Sequence, residues 1–223
     1  MASALSKVPK HLSAIMDAEI SAEEACSDKL IQEAAEFAAW SAAAGIPTIS
    51  IYDERGILKH HAALFHVFAS LRIKTLALNQ KHRVSVYLEG KLSLDEEDHD
   101  GRPPSLIIYL ISEDDGRCAI GDVTETFAEQ IECGNIAVEE ITVDLVAEQL
   151  HSLVMPAPDL IVVLRPELKL SGYPPWHLQQ AKMELLRDNG KFSYVAFAHA
   201  LRNYADAERR HDCVTICSAY YST

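Results

Sequence analysis

The sequence predicts an α/β fold, a single domain with a central, mostly parallel β-sheet covered by helices. Three observations predict it. Short apolar runs alternate along the chain with longer amphipathic stretches, the pattern of strands joined by crossover helices. Runs such as Leu12 to Met16 and Leu160 to Leu164 read as strands buried on both faces, as parallel sheets require. The chain has no internal repeat, and no division leaves either half a complete sheet, so residues 1–223 read as one domain.

The elements follow in order. Leu12 to Met16 is a buried strand ending at Asp17. Glu23 to Ala44 is a helix, because Ile31, Ala34, Ala35, Ala38 and Ala42 recur three or four apart among strong helix formers. Gly45 and Pro47 then stop it. Thr48 to Tyr52 is β-branched and aromatic, hence a strand. Ile57 to Ile73 continues as one helix, and Arg83 to Leu88 alternates as a half-buried strand. Leu94 to Pro104 holds five acids, a glycine and two prolines and predicts an acidic surface loop. Ser105 to Ile111 is the most strand-like run. Asp122 to Cys133 and Val143 to Leu153 predict two helices, and Leu160 to Leu164 another strand. Trp176 to Leu186 fits either helix or strand. Tyr194 to Arg210 predicts a last helix, with Val195, Ala198, Leu201, Tyr204 and Ala205 on one face, and residues 211–223 form a tail.

Composition excludes several classes. At 48% hydrophobic, the 223 residues are ordinary globular sequence. Thirty-three acidic against twenty basic residues give a formal charge of −13, which opposes general nucleic-acid binding and leaves room only for a local basic pocket. Five widely spaced cysteines read as reduced thiols in a cytosol-facing protein. No run of apolar residues is long enough to span a bilayer, and the first eleven residues are too short and polar for a secretory signal. The expectation is a soluble chain whose membrane anchor, if it has one, lies outside it.

Chemistry is sparse. His60, His61 and His66 lack the spacing that sets zinc ligands on one helix face. The acids from Asp95 to Asp100 lack the alternation and distal Glu of a calcium loop. No nucleophile elbow, phosphate loop or dinucleotide fingerprint occurs, and Cys118 and Cys133 have no readable His partner. Two stretches remain. Pro9-Lys10-His11-Leu12-Ser13-Ala14-Ile15-Met16-Asp17 ends a strand in a carboxylate at the sheet edge where open α/β sheets bind ligands. Asp17 also reads as a helix cap or a solvated acid. Asp159 to His177 runs from a strand into a polar loop ending in Gly172-Tyr173-Pro174-Pro175-Trp176-His177.

Together these stretches resemble the cis-prenyltransferase family, and the resemblance runs from about Pro9 to Arg210. Catalytic members open with H-V-A-I-I-M-D-G-N-R-R-W, whose Asp serves a magnesium diphosphate. His11 to Asp17 matches, but Ala18-Glu19-Ile20-Ser21-Ala22 follows without a basic residue. They later carry D-L-(I/L)-I-R-T-(S/G)-G-E-x-R-(L/I)-S-N-F-x-x-W-Q. Here Glu167, Lys169, Ser171 and Trp176 match, Val163 stands where the first Arg is expected, and Pro166 replaces a glycine. Lys182 stands where catalytic members have a magnesium-linked Glu, and Ile51 to Gly56 lacks the Ser and Asn of the catalytic segment.

A retained frame with lost cations resembles the non-catalytic accessory branch of dehydrodolichyl diphosphate synthase, the Nogo-B receptor type. Tyr52-Asp53-x-x-Gly56, the Gly172 to His177 motif and Ala200-Leu201-Arg202-Asn203-Tyr204-Ala205-Asp206 resemble that branch's own segments. The resemblance implies a cis-prenyltransferase-like fold that stabilises and activates a catalytic partner. That partner makes dehydrodolichyl diphosphate from farnesyl and isopentenyl diphosphates and holds the magnesium. It implies no cofactor, metal or catalytic residue on this chain, with Asp17 and Glu167 vestigial, and Lys169 and Ser171 as substrate contacts. Arg210 would reach the partner's site from the tail, although Asp212 replaces the usual glycine there. Leu170, Tyr173, Pro175, Trp176, Ile107 and Tyr109 are the expected interface, in segments that the resemblance places beside the sheet edge. The assembly would be a heterodimer or heterotetramer, with a homodimer possible for the isolated chain. It would sit at the cytosolic face of the endoplasmic reticulum, bound through an outside anchor or the partner. The alternatives are a divergent self-sufficient homodimeric prenyltransferase using Asp17, Glu167 and Lys169, or a protein-binding module.

Overall fold

The computed structural model describes residues 7–16, 23–76, 83–95, 103–164, 168–179, 181–186 and 193–207. Along the chain come β1 (His11–Met16), α1 (Glu23–Ala43), β2 (Thr48–Asp53), α2 (Ile57–His60), α3 (Ala62–Leu76), β3 (Val84–Leu88), β4 (Lys91–Asp95), β5 (Leu106–Ile111), α4 (Arg117–Glu132), α5 (Val143–Leu153), β6 (Leu160–Val163), β7 (Lys182–Leu185) and α6 (Tyr194–Asp206). The strands form one sheet in the order β4-β3-β5-β2-β1-β6-β7. Every pairing is parallel except β3 with β4. The predicted α/β class holds.

Side chains alternate across the strands and build two cores. Leu12, Ala14, Ile49, Ile51, Ile108, Leu110 and Val162 face one way, against α1, α3 and α6. Ile15, Tyr52, Ile111, Ile161 and Val163 face the other, against α4, α5 and the segment after β6. Ala34, Ala35, Ala38 and Ala39 are all buried, so α1 has small side chains along its inner face. Phe37 meets Phe197 of α6 edge to face, with centroids 5.9 Å apart.

Several expectations change. The helix expected from Ile57 to Ile73 is two helices, α2 and α3, divided at His61. Apolar spacing continues through the break, so periodicity could not show it. A strand, β4, occupies Lys91–Asp95, where only a loop from Leu94 was expected. Glu89 and Gly90 both have positive φ, as a type I′ hairpin turn requires, and residues 96–102 lie outside the described residues. Arg83 closes the hairpin on Asp95 through Nε at 3.0 Å and Nη2 at 2.5 Å. α4 starts at Arg117, before the expected Asp122, and Gly121 inside it obscured the first turn. The ambiguous run from Trp176 resolves into a 3-10 turn at Pro175–Leu178 and then β7. On α6 the buried residues are Phe197, Ala200, Leu201 and Tyr204, and Val195 is 75% exposed, so the inner face is rotated from the expected one.

The hairpin turn presses on the end of α5. A Cβ on Gly90 would lie 2.2 Å from the Ser152 carbonyl oxygen and 2.6 Å from that of Leu153, at a φ of +67°. Gly90→Ala is therefore expected to destabilise the chain by roughly 1 to 3 kcal/mol, read as a lower urea midpoint at unchanged m-value. An unchanged midpoint would show that the hairpin does not rest on α5.

Candidate functional site

The C-terminal edge of the parallel sheet is where open α/β sheets bind ligands. Here β2 ends in Asp53, which is 2% exposed. Its carboxylate accepts the Ile57 amide at 2.7 Å and the Leu58 amide at 3.0 Å, so it caps α2. Burial pushes its pKa up, against the downward pull of these amides. Beyond β5, the Asp115 carboxylate accepts the Ser112 amide at 2.7 Å and pairs with Lys59 at 2.5 Å. The pair ties α2 to the turn before α4. Exposed cations at this edge, Arg55, Arg117 and Lys169, stand on three separate segments, and Glu54, Glu113 and Asp114 are exposed there too.

The second feature is the connection from β6 to β7. Parallel neighbours need a crossover, usually a helix. Here residues 168–178 cross the sheet largely as irregular chain with one 3-10 turn. Contacts of its described residues hold the crossover. The Tyr52 hydroxyl donates a short hydrogen bond to the Ser171 carbonyl. Gly116 and Gly172 meet backbone to backbone, and a Cβ on Gly116 would lie 2.2 Å from the Gly172 oxygen. The Tyr173 hydroxyl donates to Ser13 Oγ at 2.9 Å, and its ring meets that of Tyr52 with centroids 5.4 Å apart. His177 Nε2 lies 2.8 Å from the Met155 carbonyl.

Tyr173 therefore lies over the middle of β1, beside a buried polar string in which His11 Nε2 sits 3.0 Å from Ser50 Oγ. Burial drives the Tyr173 phenol far above its ordinary range, so it stays a neutral donor. Burial also lowers His11 and His177 to about 4 each. Their mutual repulsion when charged lowers His11 further, Asp159 opposes that, and His151, with its ring centroid 5.4 Å from that of His177, lowers His177. Both imidazoles are neutral at neutral pH.

The expected site residues fall as follows. Asp17, Glu167 and Arg210 lie outside the described residues. Lys169 is exposed and Ser171 half-buried on the crossover, Ser171 at a φ of +42°. Leu170 and Trp176 pack partly on the second core, and Pro175 is exposed. Tyr173, expected as an interface anchor, is 3% exposed and belongs to the chain's own core, because its hydroxyl is needed by Ser13. Ile107 and Tyr109 are half-buried on β5, which is flanked by β3 and β2. That strand is interior, so a contact there uses its face and not a sheet edge. Lys182 lies on β7, where its Nζ donates to the Asn203 carbonyl at 2.8 Å and pairs with Glu184 at 3.2 Å, tying the end of α6 to the sheet. Among the described residues no group of three or more His, Cys, Asp or Glu is placed to hold a metal ion. Sequence reasoning missed the Lys59–Asp115 pair and the polar string. Single serines at 13 and 50 inside apolar strands were the available signal for the latter.

No protein-family model matches the chain. It is 31% identical over 219 residues to the dehydrodolichyl diphosphate synthase complex subunit NUS1 of Saccharomyces cerevisiae, covering 90% of this chain and 58% of that protein. It is 30% identical to the corresponding subunit of Schizosaccharomyces pombe, covering 92% of this chain and 78% of the relative. The chain belongs to the NUS1 family. The human NUS1 subunit is 28% identical over 92% of this chain and 67% of its own length. The fold is that of a lavandulyl diphosphate synthase from Lavandula x intermedia in complex with dimethylallyl diphosphate. The TM-score to it is 0.60 at 16% identity, covering 92% of this chain and 98% of the other. In this NUS1-family chain the described part of the crossover is a hydrogen-bonded strap with one 3-10 turn.

The strap predicts a pH dependence. His11 and His177 have folded pKa values below their ordinary 6.5, so the fold binds fewer protons than the unfolded chain. Their contribution is complete above about pH 6.5 and is lost as pH falls towards 4, by roughly 1.4 kcal/mol per pH unit for each histidine. Asp53, raised by burial, acts in the opposite sense near the carboxylate range. Urea midpoints measured across this window should fall with pH, and His177→Gln should flatten the dependence. A flat profile for the unmodified chain would contradict the burial of both imidazoles.

Proposed function

We propose that this chain is the accessory, non-catalytic subunit of a heteromeric cis-prenyltransferase, and that it stabilises and activates a catalytic partner. The partner condenses isopentenyl diphosphate onto farnesyl diphosphate to give dehydrodolichyl diphosphate, for dolichol synthesis and protein glycosylation. The relatives' role as subunits of the dehydrodolichyl diphosphate synthase complex supports this reading.

One observation carries it: the more buried charges described at the ligand-binding sheet edge, Asp53, Lys59 and Asp115, are used in holding the fold. Asp53 caps a helix, and Lys59 and Asp115 neutralise one another. A diphosphate leaving group needs several cationic donors held together, with magnesium held by carboxylates. Of the charges described at this edge, Asp53 and Asp115 are committed to structure, and the exposed cations Arg55, Arg117 and Lys169 stand on separate segments. The partner supplies magnesium and both substrate sites. This chain supplies the exposed and half-exposed surface of its crossover, with Pro175 and Trp176, and the face of β5 with Ile107 and Tyr109. Arg210 reaches the partner's diphosphate from the tail. The complex works at the cytosolic face of the endoplasmic reticulum.

The chain alone, incubated with both diphosphates and magnesium, should form no polyprenyl product above background. Co-expressed with a catalytic cis-prenyltransferase, it should co-elute on size exclusion and raise the partner's turnover at least tenfold. Product from the chain alone would replace this proposal with a self-sufficient enzyme. Co-elution without activation would reduce the chain to a binding module.

A further inference from the structure

α3 differs from the other long helices in being apolar on both faces. Its inner face buries Ala62, Phe65, Ala69 and Ile73 against the first core. Its outer face carries Leu64, Val67 and Leu71, which are 42%, 62% and 60% exposed. These positions follow i, i+3, i+7 spacing, and half-buried Phe68 completes the stripe. A helix that is apolar all round is normally covered on both sides. The residues around the stripe are also unusual. From Ile57 to Leu88 the sequence has no Asp or Glu, although the whole chain carries a formal −13. Arg72 and Lys74 are both exposed on the same helix beside the stripe, and Arg72, 52% exposed, reaches Glu36 on α1 at 2.7 Å.

We infer that the outer face of α3 docks on the surface of a lipid bilayer, inserting Leu64, Val67 and Leu71 among the acyl chains and setting Arg72 and Lys74 against headgroup phosphates. The size of the patch favours a bilayer over a protein. Three partly exposed side chains present on the order of 300 Å², the size of a functional patch on a monomer. A stable protein interface takes about 800 Å² from each partner. An amphipathic helix face lying in the interfacial plane needs only such a strip, with cations at its rim. The local field decides at this range, because charges beyond about 10 Å are screened at ordinary ionic strength. Its place in the fold fits as well. α3 lies on the opposite side of the sheet from the crossover proposed to meet the partner, so both surfaces can be occupied at once. On the same side of the sheet α6 exposes Tyr194 at 42%, an aromatic of the kind that settles at a bilayer surface.

The test is co-sedimentation of the chain with vesicles of phosphatidylcholine mixed with phosphatidylserine. The chain should bind them. Val67→Ser with Leu71→Ser should weaken partitioning at least tenfold, with an unchanged melting temperature because both positions are exposed. Lys74→Glu should weaken it several-fold and reduce its dependence on salt. No binding by the unmodified chain, or equal binding by the serine variant, would overturn the inference. So would a stripe that holds two copies of the chain together, seen as a dimer on size exclusion that the serine variant dissolves. Vesicle binding reads the α3 face alone, so its failure leaves the accessory-subunit proposal standing, and the reverse.

Discussion

A parallel strand at the edge of a sheet must be reached by a crossover, and among its described residues the one from β6 to β7 contains no α-helix. A helix satisfies its own backbone groups, whereas an irregular strap over a sheet face must find partners for them elsewhere. This strap takes a partner for its Ser171 carbonyl from the sheet, donates its Tyr173 and His177 amides to its own Leu170 and Pro174 carbonyls, and is fastened further by side chains. Tyr52 reaches the Ser171 carbonyl, Tyr173 reaches Ser13, and His177 reaches the Met155 carbonyl. The backbone contact of Gly172 with Gly116 draws the turn before α4 into the same arrangement. The second core, from Ile15 and Tyr52 to Tyr173 and Met183, exists in this form because the strap lies flat on the sheet.

That constraint bears directly on chemistry. The same sheet edge could hold a diphosphate only with converging cations, because burying an uncompensated anion is costly. In this chain Asp53, Lys59 and Asp115 at that edge serve to position α2 and the turn at Glu113–Asp115. Lys59 is paired with Asp115, and Asp53 is turned onto backbone amides. Each is an ordinary structural use of a charged group. Together they make an edge that supports the fold.

Much of this was legible from residue types. Buried strands such as Leu160–Val163 show as uninterrupted apolar runs, and the α1 stop shows in Gly45 and Pro47. The Gly172 to His177 motif marked the strap as a distinct element. Its contacts could not be read, because Tyr173 and Trp176 look equally apt as interface anchors until burial separates them, with Tyr173 in the core and Trp176 half-buried. Ion pairs such as Lys59–Asp115 join residues 56 positions apart and leave no local signal. β4 was missed because its acidic end merges with the charge run after it, and Glu-Gly is a weaker hairpin signal than Asn-Gly or Asp-Gly. The break at His61 leaves no trace in the apolar periodicity.

The central proposal is that the sheet edge of this chain does not bind diphosphate, because Asp53, Lys59 and Asp115 there hold the fold. Isothermal titration of the isolated chain with farnesyl diphosphate in the presence of magnesium tests it most directly. The account predicts no saturable heat up to roughly millimolar ligand, where binding free energy is only about −4 kcal/mol. Saturable binding in the micromolar range, lost on substituting Arg55 or Lys169, would contradict it by showing a working diphosphate site on this chain.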